Sequence, residues 1–429
     1  MRPAKKEALV NWRKSPFIFT VFLLLSAEVR GEENKEPLLK MGGEIRIRSE
    51  SFVEFDSFTP TRNDKADETP ILMRVRAYLD AKPVEGLGIF LQPQFSREFA
   101  QEQSTVANTG NATNNEDFDL HQGYIQRSNL GNHPLSLRLG RQELPYGDQR
   151  LIGAFGWSNV GRSFDAVKAR WDWDHGWLDG FSSWIQSNPD NQFLSGLYGH
   201  WDKDEKTAYE AYLLSLNDKN SGFGGGDLNL YTIGGHLERK FGPWDYDSEI
   251  ALQLGESGVK DVFAYAAHID GGYTVDQEWQ PRLGLEYNVA SGDDSPNSGN
   301  VKTFNNLFPT NHDKYGYMDL VGWRNIHDGR ASVQLKPTAS VTTSLDYHLF
   351  FLMEPADGLY QASGIQLRAG SAEASHYVGQ EIDTLLKYKW NSWANFLLGY
   401  SFFNAGDFLG DTGSAKDAHF LYAQLTATY

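Results

Sequence analysis

The chain has 429 residues, a formal charge of −17, 42 glycines, 14% aromatic residues and no cysteine. The missing cysteines exclude disulfides, thiolate metal sites and cysteine nucleophiles. The acidic balance argues against a nucleic-acid partner, because phosphate recognition rests on an excess of cations. At the N-terminus, Arg2, Lys5, Lys6, Arg13 and Lys14 form a basic region. Residues 17–25 (FIFTVFLLL) are an apolar core, and the small residues Ser26, Ala27 and Gly31 follow. The pattern predicts a secretory signal over residues 1–31, too short to cross a bilayer. Those residues carry six basic and two acidic side chains, so a mature chain from residue 32 has a charge of −21. Beyond residue 31 there is no run of about 18 apolar residues, so no membrane-spanning helix is expected. Residues 32–43 read as a short periplasmic lead-in, and residues 44–429 as one all-β domain.

Period-two alternation or turn-bounded apolar character marks segments 44–54, 71–82, 86–97, 119–129, 134–142, 163–173, 178–188, 193–201, 207–217, 228–239, 245–256, 261–272, 280–290, 329–337, 341–351, 378–389, 393–403 and 418–429. These are eighteen strands of the length that a tilted membrane-crossing strand needs, about 9–11 residues. The last strand is the clearest. Leu421, Ala423, Leu425, Ala427 and Tyr429 share one parity, while Tyr422, Gln424, Thr426 and Thr428 share the other. An apolar face toward lipid and a polar face toward a lumen produce this pattern. An edge strand of a soluble sandwich has the same alternation, but the connections separate the two. Turns near 83–85, 130–133, 174–177, 338–340 and 391–392 are short; loops 55–70, 98–118, 143–162, 291–328, 352–377 and 404–417 are long. Long and short connections alternate, as in outer-membrane barrels with long extracellular loops and short periplasmic turns. An additional strand near 317–326 would put the 291–316 loop on the periplasmic side, so it is rejected.

Parity also assigns the lumen. With Ile45, Ile47, Met73, Val75, Leu137, Leu139, Val167 and Trp171 toward lipid, Arg46, Arg48, Arg74, Arg76, Arg138, Lys168 and Arg170 point inward. An arginine on the lipid face near the midplane costs about 2–4 kcal/mol, which forces that choice. Glu44, Glu50, Glu54, Asp80 and Asp172 share the inward face of those strands. Asp247, Glu249, Glu286, Asp346, Glu381 and Asp383 point inward elsewhere. Two readings of the arginines stay open: a ladder of lumenal ion pairs that fixes register, or a positive constriction that focuses the field on an anionic solute. The second puts the net negative charge chiefly in the loops, for example Asp64, Asp67 and Glu68, Glu116, Asp117 and Asp119, or Asp293 and Asp294.

Residues 140–153 (GRQELPYGDQRLIG) and 157–166 (WSNVGRSFDA) resemble the signature of the alginate-export family of outer-membrane porins. A second stretch, with ASGD at 290–293, TFNNLFPTNH at 303–312 and DLVGWRN at 319–325, is similar to another block of that family. The resemblance implies an eighteen-stranded barrel that passes an anionic uronate polysaccharide through an arginine-rich pore. The motif residues are chemically consistent with that. Arg141, Arg150 and Arg162 flank the third outward loop, and guanidinium binds carboxylate bidentately. Tyr146, Trp157 and Phe164 are candidates for contact with sugar faces, and Gly147 and Gly153 permit turns that fold the loop inward. Against solute contact stands a clasp in which Asp148 and Asp165 pair with these arginines; both readings stay open.

Other signals are weak. Asp218, Asn220 and Gly222 resemble a fragment of a calcium loop without its bidentate glutamate, and Asp293 and Asp294 read as solvated loop acids. The eleven histidines show no metal spacing, and there is no nucleophile elbow or nucleotide loop. Trp171, Trp173 and Trp390 have the placement of an interfacial girdle. The expectation is therefore a channel rather than an enzyme, without a cofactor, in the outer membrane of a Gram-negative-type bacterium. The partners expected are an anionic saccharide or small anionic solute, outer-membrane lipids and periplasmic export proteins. A general or small-acid-specific porin is the alternative, ahead of a plugged structural barrel or a barrel enzyme.

Overall fold

The computed structural model describes residues 28–29, 38–53, 69–99, 116–185 and 192–429. The signal core at 17–25 and the acids Glu54, Asp64, Asp67 and Glu68 lie outside the described residues, as do the side chains of Glu116 and Asp117.

Eighteen antiparallel strands form one closed sheet: β1 Leu39–Val53, β2 Ile71–Val84, β3 Leu87–Phe99, β4 Glu116–Arg127, β5 Leu135–Gln142, β6 Phe164–Trp173, β7 Gly176–Ile185, β8 Gln192–Asp204, β9 Thr207–Asp218, β10 Leu228–Phe241, β11 Trp244–Ser257, β12 Lys260–Thr274, β13 Arg282–Ala290, β14 Ile326–Thr338, β15 Val341–Leu352, β16 Tyr377–Lys389, β17 Ala394–Ala405 and β18 Ala418–Thr428. A two-residue strand, Glu28–Val29, adds to the start of β1. Each long strand matches a segment expected from the alternation, with ends shifted by a few residues. Residues 317–325 form no strand, as the loop asymmetry requires.

Closure is explicit in the register. β18 pairs antiparallel with β1 from Glu44 opposite Thr428 to Val53 opposite His419. The terminal residue completes the seam: the amide of Tyr429 donates to Gly43 O, and that of Gly43 donates to Tyr429 O, both at 3.0 Å. A closed barrel leaves no strand edge unsatisfied in lipid.

The two faces have the solvation that the alternation demands. Ile47 is 44% exposed while its neighbour Arg48 is 2% exposed, and Leu421 is 49% exposed beside Tyr422 at 1%. Trp171, Trp173 and Trp390 are exposed at the end of the barrel that carries the short turns, where Trp201, Trp244 and Trp393 join them. Amphipathic rings favour the membrane–water boundary, so this is an interfacial belt. Connections at this end span at most seven residues, whereas the opposite end carries loops such as 143–163, 291–325 and 353–376.

Candidate pore constriction

Two of the long loops fold into the lumen and meet there. The amide of Gly153 donates to Phe308 O (2.9 Å), Phe308 to Leu151 O (2.8 Å), and Thr310 to Gln149 O (2.9 Å). Ile152 and Phe308 form a parallel bridge. Gly153 is required by proximity: a Cβ there would collide with Thr310 Oγ1. Gly147 has a φ of +53°, a left-handed conformation that costs glycine little. Lys314 of the second loop reaches Asp148 of the first at 2.6 Å. Residues from two distant segments thus make one crosspiece through the barrel.

The arginines of β1 and β2 point inward as parity requires, and they hold this crosspiece to the wall. Arg46 donates to the carbonyls of Gly156 (2.7 Å) and Ser158 (2.8 Å). Its register partner Arg74 donates to the same two carbonyls (3.1 and 3.0 Å) and pairs with Glu44 at 2.7 Å. Arg48 donates to Trp157 O (2.7 Å), pairs with Glu50 (2.6 Å) and lies 3.6 Å over the Trp157 ring. Arg76 donates to Gln94 Oε1 (2.5 Å) and Val160 O (2.9 Å). All four are buried. Hydrogen bonds from charged donors contribute about 1.5–3 kcal/mol each, so this cluster is a strong anchor.

The motif arginines have separate partners. Arg141 donates to both oxygens of Asp165 (2.9 and 3.0 Å) and to Asp119 (3.2 Å). Arg150 crosses the lumen to β12 and β13. There it pairs with Glu286 (3.2 Å), contacts His268 (3.1 Å) and donates to Tyr315 Oη (2.9 Å), while Asp148 sits 3.2 Å away. Burial keeps the Tyr315 phenol well above its ordinary pKa against the pull of Arg150, so it stays a neutral acceptor. Arg162 donates to Pro309 O (2.8 Å), a third tie between the loops. The clasp of arginine with Asp148 and Asp165 is therefore present.

Packing takes up most of the motif aromatics. Phe164 is 1% exposed, and Tyr146 is buried, stacked 4.4 Å from Tyr198. Neither leaves a ring face for a sugar. Trp157 lies between the Arg48 guanidinium and the His312 ring, which stacks on it at 3.7 Å.

Arg138, Lys168 and Arg170 are placed differently. All three face the lumen below the crosspiece and are only partly buried. Arg138 donates twice to the neutral Gln126 Oε1 (2.9 and 2.7 Å) and lies 4.3 Å over Tyr124. It has no carboxylate partner among the described residues. Lys168 (3.0 Å) and Arg170 (2.5 Å) share one carboxylate, Asp179. Arg138 thus has no carboxylate within ion-pair distance, and Lys168 and Arg170 share one, with Asp172 also on the lumenal face of β6.

Across the lumen the wall is acidic. Glu210, Asp247, Glu249, Asp270, Glu286, Asp328, Asp346, Glu381 and Asp383 point inward on β9–β16, moderated by His236, His268 and His348 on the same wall and by Arg282 and Arg330. His236 sits between Glu210 (3.0 Å) and Asp247 (2.8 Å), and His348 meets Asp328 at 2.9 Å. Negative charge is thus not confined to loops. Arg282 and Arg330 were not among the site residues drawn from sequence, although the signal is there: Leu283, Leu285 and Tyr287 face lipid, which turns Arg282 and Glu286 inward.

The alginate export family profile matches residues 38–423. No curated protein matches the chain in sequence. Among solved structures, Pseudomonas aeruginosa OprD is similar at 10% identity, covering 94% of this chain and 98% of that one, with a TM-score of 0.62. P. aeruginosa OccK5 (OpdH) matches at 10% identity over 91% of this chain and 98% of that one, TM-score 0.58. P. aeruginosa OccK3 (OpdO) matches at 12% over 91% and 95%, TM-score 0.57. At such identities the likeness establishes the fold alone.

Proposed function

The chain belongs to the alginate-export family, and we propose that its outer-membrane barrel passes an anionic saccharide, an alginate-like uronate polymer or oligomer, along the cationic wall of β5 and β6. It is an outer-membrane channel rather than an enzyme. The observation that carries the finer reading is the uncompensated charge at Arg138, with Lys168 and Arg170 beside it over a single Asp179. A narrow, partly desolvated passage screens such charge less than open water does, so it concentrates an anion locally. Guanidinium adds bidentate geometry for a carboxylate.

The ten cations proposed from sequence then divide by role. Arg46, Arg48, Arg74 and Arg76 anchor the crosspiece through its carbonyls. Arg141 clasps Asp165 and Asp119 at the base of the first loop, Arg150 ties that loop to the far wall, and Arg162 ties the two loops together. Arg138, Lys168 and Arg170 meet the solute. A second reading, a porin for small acids, is supported by the joined loops, which occupy part of the lumen that a long polymer would need.

Single-channel recording in planar bilayers tests both. The proposal expects anion preference and block by oligouronates. Arg138→Ala with Lys168→Ala should move selectivity toward cations and weaken block. Arg138→Lys should keep the selectivity but lose part of the block. A double alanine variant with wild-type selectivity and block would overturn the assignment. Block by monomeric acids with none by oligouronates would favour the small-acid porin.

A further inference from the structure

Below the crosspiece, on the short-turn side of the barrel, lies a cavity of about 330 Å³. Its wall is built mainly from β13–β16, nine strands around the barrel from the β5–β6 patch. Asp148, Asp313 and Lys314 of the two loops roof it. Most cations around it are neutralised: Arg282 by Asp245 and Asp270, Arg330 by Glu286 and Asp346, and Lys314 by Asp148.

Lys387 is the exception. It stands opposite Thr342 in the β15–β16 register, and the outward Leu386 and Tyr388 on either side turn it toward the lumen. It is exposed and makes no hydrogen bond or ion pair among the described residues. Around it, Ser332, Gln334, Thr342 and Ser344 line the same cavity. Gln334 stands opposite Ser344, and Ser344 opposite Leu385, so the polar groups form a compact patch. Their side chains, too, make no hydrogen bond among the described residues.

The group is chemically specific. Three hydroxyls and a carboxamide offer donors and acceptors of the kind that pair with sugar hydroxyls. One free ammonium at their edge offers a charge for a carboxylate. Elsewhere on this acidic wall a carboxylate would be repelled. We propose that this patch is a second saccharide subsite, which holds one carboxylate-bearing sugar unit through Lys387 and its hydroxyls through Ser332, Gln334, Thr342 and Ser344. It rests on the uronate reading above and deepens it, because the subsite opens toward the periplasmic turns and engages a chain arriving from that side. One free cation at the edge of an otherwise acidic cavity takes one carboxylate, so the subsite suits a chain end rather than an extended polyanion.

The test uses the absence of cysteine from the chain, which makes Lys387→Cys a unique thiol. Single inserted channels are recorded with a short, defined oligouronate added to one side and then the other. Block of the wild type from the turn side should exceed block from the loop side. Lys387→Cys should weaken the turn-side block about fivefold, the effect of one partly exposed charge pair, and leave the loop-side block in place. Aminoethyl methanethiosulfonate, which restores an ammonium, should restore it; the sulfonatoethyl reagent should weaken it further. Both reagents act on channels already inserted, so a folding defect does not enter the comparison. Turn-side block that is unchanged in Lys387→Cys, while the wild type is blocked, overturns the subsite and leaves the uronate channel standing. A wild type that no oligouronate blocks from either side overturns both.

Discussion

The anchoring of the crosspiece makes a quantitative prediction. Arg46 and Arg74 stand opposite each other on β1 and β2 and donate to the same two carbonyls, Gly156 and Ser158. Each acceptor therefore has two charged donors. Arg46→Ala or Arg74→Ala alone removes bonds but leaves each carbonyl with one charged donor, and it relieves repulsion between adjacent guanidiniums; Arg74→Ala also takes the partner from the part-exposed Glu44. Each single change should favour opening of segment 154–162 by about 1–2 kcal/mol. The double change orphans both acceptors, each at about 1–3 kcal/mol beyond the lost bonds, for a total of about 5 kcal/mol. The excess over the two singles is a coupling energy of about 1–3 kcal/mol. Amide hydrogen exchange of the barrel in lipid nanodiscs reads this directly. Within the segment the amides of Ser158 and Arg162 donate to Phe155 O (3.1 Å) and Ala154 O (2.8 Å). Their exchange should rise roughly 5- to 30-fold in each single variant, and by more than a thousandfold in the double. A double variant that exchanges no faster than the product of the singles would refute the shared-acceptor account. The stack of Trp157 between Arg48 and His312 would then carry the anchoring.

Three further outcomes are expected. Gly153→Ala drives a methyl into Thr310, so it should separate the two loops at a cost of about 1–3 kcal/mol and raise conductance and its noise; a quiet channel of wild-type conductance contradicts this. Leu139→Arg places a cation on a lipid face where the side chain is 59% exposed, and should cost about 2–4 kcal/mol in urea unfolding from lipid vesicles, whereas Arg138→Leu beside it on the lumenal face should cost far less. Deletion of Tyr429 removes both hydrogen bonds to Gly43 and should lower the yield of heat-modifiable, membrane-inserted barrel; an unchanged yield would show that the seam closes without its last residue.

The barrel was legible in the sequence because its cause is local. A strand between lipid and a polar lumen must alternate, and each residue's parity depends only on its neighbours and two solvents. That gave eighteen strands, the inward side of Arg46, Arg48, Arg74 and Arg76, and the long and short connections from the residues alone. It also brought Arg138, Lys168 and Arg170 to one face of β5 and β6.

What the inward arginines do was decided only by tertiary structure. Arg46, Arg48, Arg74 and Arg76 find their main acceptors in backbone carbonyls of a loop about 80–110 residues away. Every residue carries a carbonyl, so no side-chain pattern marks those acceptors beforehand. The crosspiece depends likewise on Ile152 meeting Phe308, an encounter that exists only once the barrel has brought both loops into one lumen. Lys387 is the converse case. Parity turns it inward, but only the finished wall shows that the neighbouring cations are already paired and that this one is left for a ligand.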